Sequence, residues 1–145
     1  MNNSVKVPIV VYLAGGISGL TKEEAFGWRN EAVGKLEPCG IKCYNPIATG
    51  DFERFNDGNG HFSGGDKICY HRDKFMVNRA DIILINYDTF QSVVSIGTSV
   101  EKGWADGNKL VIIFSKQDIE HPFITENAIV VNTLAQAIEL IKGLQ

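Results

Sequence analysis

The sequence predicts an α/β protein built on a single doubly wound, mostly parallel five-stranded sheet with helices on both faces. Three short apolar runs, 8–15, 81–88 and 109–115, are rich in β-branched residues and nearly continuous. This pattern is typical of strands that are buried on both faces of a parallel sheet. Segments with helical spacing alternate with these runs, and that alternation favours parallel strands joined by helices. We therefore expect residues 1–145 to form one domain.

Two more polar runs, 40–47 and 127–132, complete the predicted sheet. The first helix is predicted over 21–36, because Thr21 and Glu24 have the spacing of a capping box and Pro38 follows the end of the segment. Three further helices are predicted at 66–79, 97–107 and 133–144. Together these elements indicate a flavodoxin-like or Rossmann-like arrangement.

The segment 48–67 interrupts the alternation of strands and helices. It contains five of the fifteen glycines, with Phe52, Phe55 and Phe62 between them. Loops of this length are usually functional or disordered, and three aromatic residues argue against disorder. Two interpretations stay open: a lid over a ligand, and an Ω-loop that packs its own phenylalanines.

The composition limits the class of partner. Charged residues make up 21% of the 145 residues and the formal net charge is −3, so neither a nucleic acid polymer nor an anionic membrane surface is favoured as a partner. We expect a small-molecule ligand instead. No stretch approaches the roughly 18 apolar residues that a membrane helix needs, and the first residues lack the features of a signal peptide. We predict a cytoplasmic protein.

The cysteines and histidines do not have the spacing of a metal site. Cys39, Cys43 and Cys69 are an odd number without a Cys-x-x-Cys pair, which argues against a disulfide framework or a zinc site. The three histidines are scattered along the chain. The glycines after the first strand match neither Gly-x-Gly-x-x-Gly nor a phosphate-binding loop that ends in Gly-Lys-Ser/Thr. We predict neither a metal nor a cofactor.

Candidate ligand-binding residues follow the strands, because ligands of open parallel sheets bind beyond the carboxyl ends of the strands. Tyr12 lies near the end of the first strand, and the glycine-rich turn 15–19 follows it. We expect the amides of this turn to approach ligand oxygens. After the third strand come Ser95 and a helix start at Gly97. Tyr12, the glycine turn and the hydroxyl of Ser95 are thus predicted to lie at one edge of the sheet.

Glu101 admits two interpretations. Thr98 and Glu101 fit the Thr-x-x-Glu capping box, in which the glutamate only satisfies amides of the first helical turn. Alternatively the carboxylate attacks a ligand, since glycosidic chemistry commonly uses one carboxylate as nucleophile and another for proton transfer. A position near a helix N-terminus favours the anionic form that a nucleophile needs. Asp73 is the candidate second carboxylate, and its alternative is a solvated helix residue.

Three segments resemble the nucleoside 2-deoxyribosyltransferase family, which includes related deoxynucleoside 5'-monophosphate N-glycosidases. They are VYLAGGISG (11–19), RDKFMVNRADIILIN (72–86) and GTSVEKGWA (97–105), in the family's order. The resemblance implies an enzyme that cleaves the N-glycosidic bond of (deoxy)nucleosides or their 5'-monophosphates through a covalent glycosyl-glutamate. The sugar then passes to another base or to water. The alternative that stays open is a non-catalytic nucleotide-binding module on the same fold.

The resemblance also implies roles for individual residues. Glu101 matches the family's nucleophile, Tyr12 the tyrosine that orients it, and Asp73 the aspartate that assists proton transfer at the departing base. Substrate contacts are further implied at the glycine turn and at the helix start, from Gly15, Gly16, Ile17 and Gly97.

Two departures from the family pattern concern the substrate. Ser95 stands where transferases acting on free deoxynucleosides often have an aspartate, and the related N-glycosidases have a serine there that contributes to a phosphate site. Those glycosidases place an arginine after the glycine turn, where this chain has Ser18. Arg29 and Arg54 are candidate replacements. Ser95 therefore favours a nucleotide substrate, and Ser18 leaves the phosphate site incomplete.

The family commonly completes its pocket with a polar residue of a neighbouring subunit, near the start of the last helix. Glu126 and Asn127 lie close to that point in this sequence. The resemblance therefore implies a homo-oligomer in which Glu126 or Asn127 acts in the neighbour's site, and we predict Asn127 as a substrate-binding residue.

Overall fold

The computed structural model describes residues 7–17, 19–47, 64–89 and 96–145. Its strands are β1 (Val10–Gly15), β2 (Lys42–Tyr44), β3 (Ile82–Asn86), β4 (Leu110–Phe114) and β5 (Ala128–Val131). Its helices are α1 (Lys22–Leu36), α2 (Gly64–Arg79), α3 (Ile96–Ala105), α4 (Pro122–Thr125) and α5 (Leu134–Lys142), with 3₁₀ turns at Glu37–Cys39 and Tyr87–Thr89. The predicted loop falls outside the described residues up to residue 63, and α2 begins within its last four positions.

The strands form one five-stranded sheet in the order β2-β1-β3-β4-β5. All four pairings are parallel, which confirms the predicted α/β class and makes the sheet parallel throughout. The chain moves outward from β1 to β2 and then returns to place β3 on the other side of β1. In open α/β sheets this change of direction marks the place where ligands bind, outside the carboxyl ends of the two central strands.

Capping explains where two helices begin. Thr21 caps α1: its side chain accepts a hydrogen bond from the Glu24 amide at 3.1 Å, and Glu24 accepts one from the Thr21 amide at 3.0 Å. Thr133 caps α5 in the same way, with Gln136 as its partner. The capping box predicted for Thr98 is wrong, because α3 begins at Ile96 and Thr98 is already its third residue.

The sheet separates two layers of packing, which we call the closed face and the site face. On the closed face α1 and α5 cover Val11 and Leu13 of β1 together with Leu84 and Ile112 of the next strands. On the site face α2, α3 and α4 cover the intervening residues, which include Tyr12. Successive side chains of a strand point to opposite faces, so a single strand contributes to both layers.

None of the helices within the described residues is long and apolar enough to cross a membrane.

Candidate active site

Tyr12 places a hydroxyl group inside the site face. The residue is fully buried, and its side chain packs among apolar residues of α2 and α3. Within the described part of the chain the hydroxyl oxygen has no hydrogen-bond partner, although it is shielded from solvent. Burial raises the pKa of Tyr12 well above its usual value, and the nearby charges of Glu101 and Asp73 raise it further. A buried hydroxyl without a partner is uncommon in cores and is often associated with a functional site.

Glu101 lies opposite Tyr12, as the sixth residue of α3. The residue is half-buried, but its Oε2 atom is shielded from solvent and has no hydrogen-bond partner among the described residues. Burial raises the pKa of Glu101 to about 8, and the charge of Asp73 adds to this. Tyr12, Arg29 and Arg72 act in the opposite direction.

The expectation that a helix N-terminus keeps Glu101 ionised is therefore wrong. The sixth residue is beyond the first turn, where the unpaired amides of a helix lie, and burial outweighs the remaining favourable interactions. The same position rules out the capping-box role, because a capping glutamate occupies the third helical position.

The hydroxyl of Tyr12 and the carboxyl group of Glu101 are close enough for their interaction to lower the pKa of Glu101. The hydroxyl nevertheless forms no hydrogen bond of regular geometry with the described residues. Hydrogen bonds of catalytic groups are often long or misaligned without substrate and tighten in its presence. The pair thus has the proximity that an orienting tyrosine needs.

Asp73 projects from α2 and is held by its neighbour Arg72. The Oδ1 atom accepts hydrogen bonds from Arg72 Nε at 3.0 Å and from Arg72 Nη2 at 2.9 Å. The same Nη2 donates to the carbonyl oxygen of Pro46 at 2.9 Å, so Arg72 connects the second carboxylate to the chain beyond β2. Asp73 is therefore not a freely solvated helix residue. The sequence analysis did not identify Arg72, and the adjacent opposite charges were its available signal.

The glycine turn differs from the expected set of free amides. Gly15 ends β1, and the Gly16 amide donates a hydrogen bond to Thr89 Oγ1 at 2.8 Å. That amide is therefore engaged within the protein. Ile17 is half-buried and packs beside the small apolar cluster that contains Leu20.

Arg29 does not have the position expected of a phosphate ligand. It is fully buried in α1, and its guanidinium donates to main-chain carbonyls of the protein. Burial lowers the pKa of Arg29 to about 10, so the group remains cationic at neutral pH. Ser18, Arg54 and Ser95 lie outside the described residues, and Gly97 lies in the first turn of α3.

Asn127 lies apart from the glycine turn. It immediately precedes β5, at the amino ends of the strands, whereas the glycine turn follows the carboxyl end of β1. Its φ of 57° is in the left-handed region that few residues other than glycine adopt. The preceding carbonyl, of Glu126, accepts a hydrogen bond at 3.0 Å from the buried Lys102. Within one chain the structure therefore does not bring Asn127 to the glycine turn.

Fold and site together define a doubly wound α/β protein with a buried tyrosine and two interacting carboxyl groups beside the switch point of its sheet. The family model for nucleoside 2-deoxyribosyltransferases matches residues 11–135, and the chain belongs to that family. Its members are enzymes, transferases and N-glycosidases, that act on small nucleoside or nucleotide substrates.

Two solved structures are similar in fold. The CMP N-glycosidase BcmB of Clostridium botulinum has 20% sequence identity and a TM-score of 0.57, and the match covers 94% of this chain and 99% of that one. A 2-deoxyribosyltransferase of Bacillus psychrosaccharolyticus has 20% identity and a TM-score of 0.63, over 89% of this chain and 90% of the other. Among curated proteins, none matches the sequence.

Proposed function

We propose that the protein cleaves the N-glycosidic bond of (deoxy)nucleosides or nucleoside 5'-monophosphates, with Glu101 as the nucleophile. The observation that carries this proposal is the buried Glu101 carboxyl group, which interacts with both the Tyr12 hydroxyl and the Asp73 carboxylate. Membership of the nucleoside 2-deoxyribosyltransferase family supports the reaction class.

The first displacement begins with a proton on Glu101, since its pKa of about 8 favours the protonated form at neutral pH. Glu101 passes this proton to Asp73, and the resulting carboxylate attacks the anomeric carbon of the sugar. The bond between that carbon and the base nitrogen breaks, and its electron pair stays on the base. The base then takes the proton from Asp73. Tyr12 donates a hydrogen bond to the ionised Glu101 and holds it in the direction of attack.

The second displacement releases the sugar from Glu101. Asp73, ionised again, accepts a proton from water or from an incoming base, and that oxygen or nitrogen attacks the anomeric carbon. The ester bond to Glu101 breaks and its electron pair returns to the carboxylate. Two displacements at one carbon retain the stereochemistry, and return of the proton from Asp73 to Glu101 closes the cycle.

The test is a substrate panel followed by chromatography. Wild-type protein, Glu101→Gln and the control Glu139→Gln are incubated with nucleosides and their 5'-monophosphates, as ribose and deoxyribose forms, with and without a second base. We expect wild-type protein and the control to release base, and Glu101→Gln to release none. Glu139 is a suitable control because its side chain is 76% exposed. Base exchange identifies a transferase, and sugar release a hydrolase.

Mass spectrometry of the intact protein tests the covalent step. Wild-type protein mixed with substrate is expected to gain the mass of the sugar, and Glu101→Gln is not. Base release that persists in Glu101→Gln would show that Glu101 is not the nucleophile. Binding of nucleotides by wild-type protein without any base release would favour the non-catalytic nucleotide-binding module.

We also propose that Asn127 acts in the site of a neighbouring subunit of a homo-oligomer. Its place at the amino ends of the strands, away from its own glycine turn, supports this arrangement. Mixing Glu101→Gln with Asn127→Ala is the test, since a mixed oligomer contains one site with both native residues. We expect the mixture to recover activity that neither variant has alone. An inactive mixture whose subunits have exchanged would contradict the arrangement.

A further inference from the structure

The peptide unit between Gly15 and Gly16 is held at both of its polar ends. Its carbonyl oxygen accepts a hydrogen bond from Arg29 Nη2 at 3.1 Å. Its N–H donates to Thr89 Oγ1 at 2.8 Å. A peptide plane that is hydrogen-bonded in both directions cannot rotate without breaking two bonds in a partly buried environment.

Both holding groups are themselves fixed. The Thr89 hydroxyl donates to the carbonyl oxygen of Asn86 at 2.7 Å, at the end of β3. Arg29 also donates to the carbonyl oxygen of Ala25 at 2.7 Å and to that of Leu13 at 3.4 Å. These bonds connect the turn after β1 to α1 on one side and to the end of β3 on the other.

Neither Gly15 nor Gly16 has room for a side chain. A Cβ atom on Gly15 would lie 3.0 Å from the Trp28 ring, and one on Gly16 would lie 2.9 Å from the carbonyl oxygen of Thr89. The Arg29 guanidinium lies 4.7 Å from the centre of the same Trp28 ring. Trp28 and Thr89 therefore pack so closely against the turn that only glycine fits at these two positions.

We propose that Arg29 and Thr89 are positioning residues that fix the orientation of the Gly15–Gly16 peptide and thereby the wall of the sugar site. This inference rests on the proposed function and on the substrate contact that the family resemblance implies for Gly15 and Gly16. The turn then acts as a rigid surface, and the Gly16 amide serves the protein's own structure.

The chemistry of arginine explains why this residue type occupies the position. A guanidinium presents five donors in a planar fork, and here three of its nitrogens reach the three carbonyls of Leu13, Gly15 and Ala25. A lysine ammonium is a compact point charge on a flexible stem and would not hold the same three directions. Burying a charge is costly unless it is well hydrogen-bonded, and the three carbonyl oxygens provide these hydrogen bonds to the guanidinium.

Thr89→Val and Thr89→Ser form the matched pair that tests the inference. Valine preserves the shape and removes the hydroxyl, whereas serine keeps the hydroxyl. We expect Thr89→Val to lower kcat/KM by about 10- to 100-fold, because a misplacement of about 1 Å in a site can reduce rates by that much. Thr89→Ser should stay within about threefold of wild type, and Thr125→Val, at a half-buried threonine of α4, controls for the substitution itself.

Amide hydrogen exchange at Gly16 provides the second measurement. We expect Gly16 to exchange faster in Thr89→Val and in Arg29→Lys than in wild-type protein. An unchanged exchange rate at Gly16 would refute the proposal that Arg29 and Thr89 fix this peptide. Faster exchange with unchanged kcat/KM, measured per folded molecule, would overturn the positioning role and leave a structural one. Wild-type protein that releases no base from any substrate would instead refute the proposed function, and the exchange data would still report on the peptide itself.

Discussion

The two faces of the sheet differ in what they bury. The closed face packs apolar side chains of the sheet against α1 and α5, and the buried strand side chains on it are all hydrocarbon. The site face contains the Tyr12 hydroxyl and the Glu101 Oε2 atom, both shielded from solvent and without hydrogen-bond partners among the described residues. Within the part of the chain that the structure describes, the closed face has one comparable atom, the Trp28 indole nitrogen, which lies on α1 beside the glycine turn.

This difference indicates where folding free energy comes from and where it is given up. Apolar burial stabilises the fold by about 25 cal/mol per Å². On the closed face it acts on hydrocarbon side chains, and the buried Arg29 of α1 is compensated by hydrogen bonds to three carbonyl oxygens. On the site face, burial of a carboxyl group and a phenol opposes folding whenever either must ionise. Active sites commonly show this exchange of stability for function.

The largest expected effect follows from removing the Glu101 charge. Glu101→Gln should lower kcat/KM by at least about 10³-fold, as loss of a nucleophile does. The same variant should be more stable than wild type at pH 9. Because folding raises the pKa of Glu101 to about 8, the folded state binds more protons between the unfolded pKa near 4.5 and 8, and stability falls as pH rises through this range.

Thermal unfolding at pH 5 and pH 9 measures this effect. The gain of Glu101→Gln over wild type should appear at pH 9 and largely disappear at pH 5, where the native glutamate is protonated in the fold. The exposed Glu139→Gln should show no such pH-dependent gain. A Glu101→Gln protein that is less stable than wild type at pH 9 would contradict the assignment of a destabilising buried charge.

The sequence predicted the sheet well because each central strand is a short, nearly continuous apolar run. The runs 8–15, 81–88 and 109–115 contain β1, β3 and β4, and each strand is shorter than its run by at most two residues at either end. Such runs have to be buried on both faces, so apolar periodicity alone identifies them. The Thr21 capping box was confirmed for the same reason, since both partners lie within four residues.

The electrostatics of the site were not predictable from the sequence. The Thr-x-x-Glu pattern at Thr98 is identical to that at Thr21. However, α3 begins two residues before Thr98, which places Glu101 in the helix interior. The pKa of Glu101 is raised by burial in the folded protein and, to a smaller extent, by the charge of Asp73, which is 28 residues distant in sequence. The sequence did not reveal that Arg29 and Thr89 hydrogen-bond to the glycine turn, because the bonded groups of Gly15 and Gly16 are remote from them in sequence.

A core substitution on the closed face gives the next largest effect. Leu84→Ala should reduce the free energy of unfolding by about 2–5 kcal/mol, because Leu84 is fully buried and its removal leaves a cavity. We expect kcat/KM per folded molecule to stay within about twofold of wild type. Denaturant unfolding and the chromatographic assay measure the two quantities.

The milder Ile112→Val covers the case in which Leu84→Ala does not fold. Ile112 is fully buried on the same face, and its truncation should reduce stability by about 0.5–1.5 kcal/mol. A loss of kcat/KM that scales with the loss of stability in both variants would mean that the two faces are not functionally separate.

Tyr12→Phe should have the opposite effects to Leu84→Ala: a small change in stability and a large loss of kcat/KM. The hydroxyl is buried without a hydrogen bond among the described residues, so its removal should change stability by less than about 1 kcal/mol. Activity should fall by about 10-fold or more, because Glu101 loses its orienting partner. Tyr12 also lowers the pKa of Glu101, so the alkaline limb of the kcat/KM profile, where Glu101 loses the proton that the mechanism uses, should move to higher pH. An unchanged profile would remove Tyr12 from the catalytic group.

The smallest effect is expected from a helix cap on the closed face. Thr133 accepts a hydrogen bond from the Gln136 amide at 3.1 Å and begins α5. Thr133→Ala should reduce stability by about 1 kcal/mol and leave kcat/KM unchanged, because α5 packs against the closed face. Thr89→Val is the informative comparison, since it also removes one threonine hydroxyl but beside the glycine turn. If Thr133→Ala lowers kcat/KM as much as Thr89→Val does, the activity depends on overall stability, and the division between the two faces does not hold.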